Sequence, residues 1–329
     1  MTAPTAEAPP GGAQPGNAVL ERAKDLSFWA EWASLVGLVL LVVIFQSANS
    51  TFLTPGNVEA MLVSAAILIV LTIGQTFVVS TGGIDLSVAS TMTFAAVSFG
   101  LTYVHTHQLW LAMLVALLAG AAIGVVNGLI VSKGKITDFI ATLGTLSAAS
   151  GLALILANGK PTTVIDPLLL KLSSGGIGIF GYSFIIAVVV DVIAHVVYFR
   201  TRFGTHVLAT GGSVEAAAAT GVRTMRVKLA VYVIAGTLAG LAAILLVARV
   251  GAAEPAANTA FLLNSVAAVV LGGVSLVGGR GSIIGPVLGA LLLTALTNGL
   301  TLVGVSEFYQ PLSVGIVVVL AALLSRFQK

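Results

Sequence analysis

Apolar stretches recur along most of this chain, separated by short connectors, and at roughly 17–25 residues each can cross the hydrocarbon core of a bilayer as a helix. Inside lipid no water satisfies backbone N–H and C=O groups, so spanning segments must be helices or closed barrels, and runs of this length select helices. Composition points the same way. With 57% of the residues hydrophobic and 8% charged, 329 residues could not coat a water-soluble globule with polar surface. The expected fold class is an all-α polytopic membrane protein. There is no cysteine, which excludes disulfides, thiolate chemistry and Cys-based metal sites. The small positive net charge is no nucleic-acid footprint, because the Lys and Arg residues gather at the ends of the apolar runs.

About ten transmembrane helices are predicted, over residues 32–45, 58–79, 86–103, 109–131, 139–157, 182–199, 229–250, 262–277, 283–303 and 308–324. Cationic side chains concentrate on cytoplasmic connectors, which tests that count. With both termini cytoplasmic, 12 of the 15 Lys and Arg residues fall inside, leaving only Lys160, Lys171 and Arg249 on or near the outside. Adding or removing one span would reverse the downstream half and destroy this bias. Residues 1–18 are rich in Pro, Ala and Gly without a basic residue, and are expected to be a disordered cytoplasmic tail rather than a cleaved signal. Residues 20–30 read as a short amphipathic lead-in, and residues 19–329 as a single transmembrane domain.

The longest charged interruption runs from Arg200 to Lys228. Within it, a short helix is predicted near 213–221. Gly211 and Gly212 form a flexible approach, and Ser213 is a good N-cap. Val214 follows, Glu215 sits in the first turn where the helix dipole favours a carboxylate, Ala216 to Ala219 are strong helix formers, and Gly221 supplies the stop. A two-turn helix between two basic anchors is poorly stable alone, so a partner is expected to dock on it.

Other candidate residues carry two readings each. Gly82, Gly83, Asp85 and Ser87 lie in a very short turn between two spans, where Asp85 is placed to cap the next helix and the glycines permit reversal; the functional alternative is a gate hinge. Asn127, Asn264 and Asn298 either bind sugar hydroxyls along a translocation path or hydrogen-bond between helices. Asp191 and His195, one turn apart within a span, either relay a proton or satisfy one another. The Gly120/Gly124, Gly236/Gly240 and Gly285/Gly289 ridges allow close helix approach, within the chain or across a subunit seam. Residues 160–181 form an outside loop long enough to receive a partner. No phosphate-binding Gly-x-x-x-x-Gly-Lys-Ser/Thr loop is present, nor a zinc or calcium motif.

Four segments together resemble the membrane permease subunit of bacterial ABC sugar importers of the ribose/xylose/galactoside type. They are 74–88 with Thr81-Gly82-Gly83-Ile84-Asp85-Leu86-Ser87, 127–145 with Phe139-Ile140-Ala141-Thr142-Leu143-Gly144, 201–221, and 272–299 with Gly278-Gly279-Arg280-Gly281-Ser282. The chain departs from the family pattern at Ala89, Asp138 and Val214. The resemblance implies a type II ABC importer-like fold and a multi-pass location in the bacterial inner membrane, with no enzymatic activity of the chain's own. It further implies that Ser213, Val214, Glu215, Ala216, Ala217 and Gly221 form a coupling helix fitting a groove on a separate ATPase subunit. That subunit would hold ATP and Mg, and this chain would bind no cofactor. An extracytoplasmic sugar-binding protein and a second permease copy complete the expected partners. A proton-coupled secondary transporter using Asp191 and His195 is the alternative.

Overall fold

The computed structural model describes residues 33–256 and 259–325. The predicted tail and lead-in, Arg326 and Lys329 lie outside these residues. The apolar runs form helices α1 (Ala33–Ala48), α2 (Pro55–Ser80), α3 (Val88–Thr106), α4 (Leu109–Ser132), α5 (Asp138–Leu156), α7 (Tyr182–Arg200), α10 (Thr224–Val250), α11 (Thr259–Leu271), α12 (Ile284–Leu302) and α13 (Gln310–Ser325). Among the described residues, six of them (α2, α4, α5, α7, α10 and α12) are long and apolar enough to cross a bilayer on length and composition alone. The chain is an all-α polytopic membrane protein.

Helix α2 is the axis of the bundle. Some 89% of its most apolar window is buried, against 28% for α4 and 22% for α7, and it packs against α10, α12, α7 and α11. Its burial on every side explains why residues 65–71 read as an unbroken apolar run rather than a stripe. The Gly120/Gly124 ridge of α4 faces the Gly236/Gly240 ridge of α10, and a Cβ added at Gly120 or Gly236 would overlap the other's carbonyl oxygen. Backbones approach this closely only where side chains are missing, so these glycines serve packing within the chain. The Gly285/Gly289 ridge of α12 meets Ala268 of α11 and Gly272 just beyond it in the same way.

Three boundaries differ from the sequence expectation. The span predicted over 262–277 is a 13-residue helix that stops at Leu271. Gly273 takes a left-handed φ of 75°, and the irregular segment that follows sets Gly278 against Gly82, Gly279 against Ser80 and Gly281 against Tyr198. The stretch 160–181 is not a bare loop. It contains α6 (Pro167–Ser174), the hairpin of β2 (Gly176–Ile177) and β3 (Phe180–Gly181), and β1 (Thr162–Thr163), which pairs with β4 (Ala252–Ala253). The last difference is α8 (Arg202–Gly212), an unforeseen helix that absorbs the supposedly flexible Gly211 and Gly212. Its Gly204, Val207 and Thr210 are buried at a three-residue spacing, a pattern masked in the sequence by the two arginines before it.

Contacts at the helix ends bear on the alternating topology. Ser80 at the end of α2, Tyr198 near the end of α7, Gly211, and Gly279 after α11 all meet on one face. Gly100, Thr162 and Ala253 meet on the other. The first face carries Lys133, Lys135, Arg200, Arg202, Arg223, Arg226, Lys228 and Arg280, and is the cytoplasmic one by charge.

Candidate functional site

On the basic face the chain leaves α8 and enters α9 (Val214–Ala219), the helix predicted from its punctuation. Ser213 is its N-cap, with Oγ accepting from the Ala216 N–H at 3.1 Å, and Ser213 also donates to Glu215 Oε2 at 3.3 Å. At the other end Gly221 adopts φ 88°, while its N–H and that of Val222 bond back to the carbonyls of Ala218 and Ala217. This paired closure with glycine in the left-handed position satisfies carbonyls that a six-residue helix would otherwise leave open. Only Ala217 is buried, against α8 and α10; Val214, Glu215, Ala216, Ala218 and Ala219 face outward. A helix this short, capped at both ends and held along one edge, presents a small-residue surface with a single carboxylate.

Helix α8 connects that surface to the bundle. Its Phe203 and the Tyr198 of α7 pack around Phe77 of α2, with ring centroids 6.3 and 5.6 Å away. At its other end Gly211 presses on a backbone junction: an added Cβ would overlap the Ser80 carbonyl oxygen and lie 2.5 Å from the Gly279 nitrogen. The Gly279 N–H donates to that same Ser80 carbonyl at 3.1 Å, while the Ser80 hydroxyl bonds to Tyr198 at 2.7 Å. Gly278 in turn abuts Gly82, a Cβ on it lying 2.7 Å from the Gly82 nitrogen. The glycine pairs 82–83 and 278–279, far apart in sequence, therefore touch, with Gly211 set against both the Ser80 carbonyl and the 278–279 pair. No pattern of spacing in the sequence announces this meeting of two turns and a helix end.

Beyond Gly82 lies the turn itself. Helix α2 closes with Gly82 at φ 74° and the Gly82 and Gly83 N–H groups bonded to Val79 and Val78. Asp85 does not cap α3, as the sequence suggested; Ser87 occupies the N-cap position. Asp85 instead folds the turn two residues earlier, its Oδ1 accepting from the Ser87 N–H at 2.8 Å and the Ser87 hydroxyl at 2.6 Å. Burial pushes the Asp85 carboxyl above the usual carboxylate range, opposed by these two bonds.

From Ser87 a buried polar chain runs outward. Asn127 Nδ2 donates to the Ser87 hydroxyl at 2.8 Å, and Asn127 Oδ1 accepts from the Thr145 hydroxyl at 2.7 Å. Gln75 of α2 donates to the Asp85 carbonyl at 2.6 Å. The network ties α2, α4 and α5 to the turn, and Gln75 and Thr145 were not singled out from sequence because an isolated polar residue in an apolar run carries no positional signal. Beside it, Lys228 and Asp138 form an ion pair at 3.8 Å.

The three candidate path amides fall in different places. Asn127 is 1% exposed within the network just described. Asn298 exchanges hydrogen bonds with Asn57 at 2.9 and 3.0 Å, joining α12 to the start of α2. Asn264 lines a cavity of about 740 Å³ between α11, α12 and α13, together with Thr297, Glu307, Gln310 and mostly apolar side chains. Asp191 and His195 sit half-buried on α7, and Asp191 Oδ1 and His195 Nδ1 have no hydrogen-bond partner.

A bundle of apolar helices built around a buried α2, with a short outward helix beside its cytoplasmic turns, defines a polytopic membrane protein. Residues 57–323 match the family described as branched-chain amino acid transport system / permease component, and the chain belongs to that family. It is 38% identical to the ribose import permease protein RbsC of Bacillus subtilis (strain 168) over 88% of this chain and 91% of that one. The ribose import permease protein RbsC of Escherichia coli (strain K12) is 36% identical over 89% and 93% of the two chains. The L-arabinose ABC transporter permease protein AraH of Azospirillum brasilense is 33% identical over 89% and 88%. No solved structure matches the chain. These relatives favour an ABC importer permease over a proton-coupled carrier built on Asp191 and His195.

Proposed function

We propose that this chain forms the membrane path of an ATP-driven importer for a sugar, with α9 as the surface on which a separate ATPase subunit docks. The observation that carries the reading is α9 itself: an outward-facing helix, capped at both ends and connected through α8 to the buried turns at Gly82 and Gly279. The sugar cargo is inferred from the ribose and L-arabinose in the names of its relatives.

In this mechanism ATP and Mg act on the partner subunit, and this chain does no chemistry. Displacement of α9 moves α8 as a rigid rod. Gly211 then pushes the Ser80–Gly279 junction, and the Gly82–Gly83 turn serves as the gate hinge between α2 and α3. The ordered structure at 160–181, pinned to β4 on the opposite face, supports docking of a sugar-loaded binding protein there. A second permease copy completes the path, and Asn264 in its cavity is the amide best placed to meet a polyhydroxyl solute. A ligand shifts such an equilibrium only by its differential affinity for the two states, so the ATPase must grip α9 more tightly in one nucleotide state.

Changing Glu215→Lys together with Ala216→Asp tests the docking role. ATP-driven uptake in proteoliposomes carrying ATPase and binding protein is expected to collapse while the permease remains folded and membrane-inserted. Undiminished uptake by the double variant would refute the assignment of α9.

A further inference from the structure

A second cavity on the cytoplasmic face, of about 560 Å³, opens between α8, the end of α9 and the first two turns of α10. Its outer rim carries His206, Arg223 and Arg226; its inner end is made by Phe203, Val227 and Ala230. Arg223 and Arg226 are exposed, and none of the three rim side chains joins an ion pair among the described residues. Arg223 also occupies the N-cap position of α10, where open backbone N–H groups and the helix dipole add positive character. From Arg223 to Ala230 a helix rises about 10 Å, so the cavity runs from the cytoplasmic end of α10 to the start of its apolar run at Leu229.

We propose that this cavity holds an anionic phospholipid, its headgroup phosphate between Arg223 and Arg226 and an acyl chain along Phe203, Val227 and Ala230. Two guanidinium forks at the mouth match phosphate oxygens, and the apolar end matches hydrocarbon. An acidic patch on a soluble partner satisfies the rim but leaves the apolar end, where the apolar run of α10 begins, without a matching group. The position beside Gly221 makes the lipid a neighbour of α9, yet the proposal stands whatever solute the permease carries.

The test uses full-length protein in nanodiscs of mixed phosphatidylglycerol and phosphatidylcholine, extracted gently, with co-purifying lipid measured by mass spectrometry. The wild-type chain is expected to retain phosphatidylglycerol preferentially. R223Q/R226Q should lose that preference about 30-fold, the effect of two cationic contacts at a membrane surface, whereas R223K/R226K should keep most of it. R202Q, outside the cavity, should leave it unchanged. Equal retention by wild type and R223Q/R226Q overturns the proposal. So does an equal loss in R202Q, which would mark a general charge effect. Loss of a co-purifying ATPase subunit from R223Q/R226Q with lipid retention intact would assign the rim to protein contact instead, and also overturns it.

Discussion

Replacing Gly211 by Ala isolates the contact through which α8 meets the bundle. The new methyl group would overlap the Ser80 carbonyl oxygen and sit 2.5 Å from the Gly279 nitrogen, and both obstacles are backbone with no rotamer to yield. Restoring ordinary van der Waals separation requires a retreat of roughly 1 Å, and overpacking of this kind costs about 1–3 kcal/mol. Even about 2 kcal/mol, placed on one accessible state and not the other, shifts their populations roughly 30-fold. Gly212→Ala is the matched control, because nothing lies within 4 Å of its Cβ position. The assay is ATP-driven uptake and ATP hydrolysis in proteoliposomes, alongside thermal unfolding of each purified variant. G211A is expected to hydrolyse ATP with uptake reduced at least tenfold, while G212A behaves as wild type. If the two variants match in uptake, coupling and unfolding temperature, the junction transmits nothing and the reasoning fails.

Asn127→Leu removes two buried hydrogen bonds, although Ser87 keeps Asp85 and Thr145 keeps the Ala141 and Thr142 carbonyls, and should lower stability by about 1–3 kcal/mol; an unchanged unfolding midpoint would deny the network structural weight. Gly83→Val places a branched side chain 2.8 Å from Asp138 Oδ2 and near the Tyr232 hydroxyl, so assembly or uptake should suffer, and normal behaviour in both would show the turn to be tolerant. Asp191→Asn should leave uptake largely intact; a collapse together with loss of pH dependence would revive a proton-coupled mechanism.

Most helix positions were legible because apolar length and cationic bias report directly on the bilayer, a solvent that every span must satisfy by itself. Caps were equally local: Ser213, Glu215 and Gly221 act within a few residues of chain, so their order alone announced α9. Errors arose where a neighbour in space decides the outcome. The helix ending at Leu271 stops where Gly272 is pressed against α12 and Gly273 turns the chain with a left-handed φ, and α8 exists because Gly204, Val207 and Thr210 find a buried place beside α7 and α2.

What the linear order of residues determined about this protein is its solvent, its helices, its inner face and its short capped helix, since each follows from hydropathy, charge or hydrogen bonding over one turn. Only the tertiary structure decided that Gly82, Gly211 and Gly279 share one junction, that Asn127 is locked between Ser87 and Thr145, and that Asn264 lines a cavity. Glycine and asparagine carry no long-range address. Which backbone a glycine admits, and which hydroxyl an amide meets, are set by helices packed from distant parts of the chain.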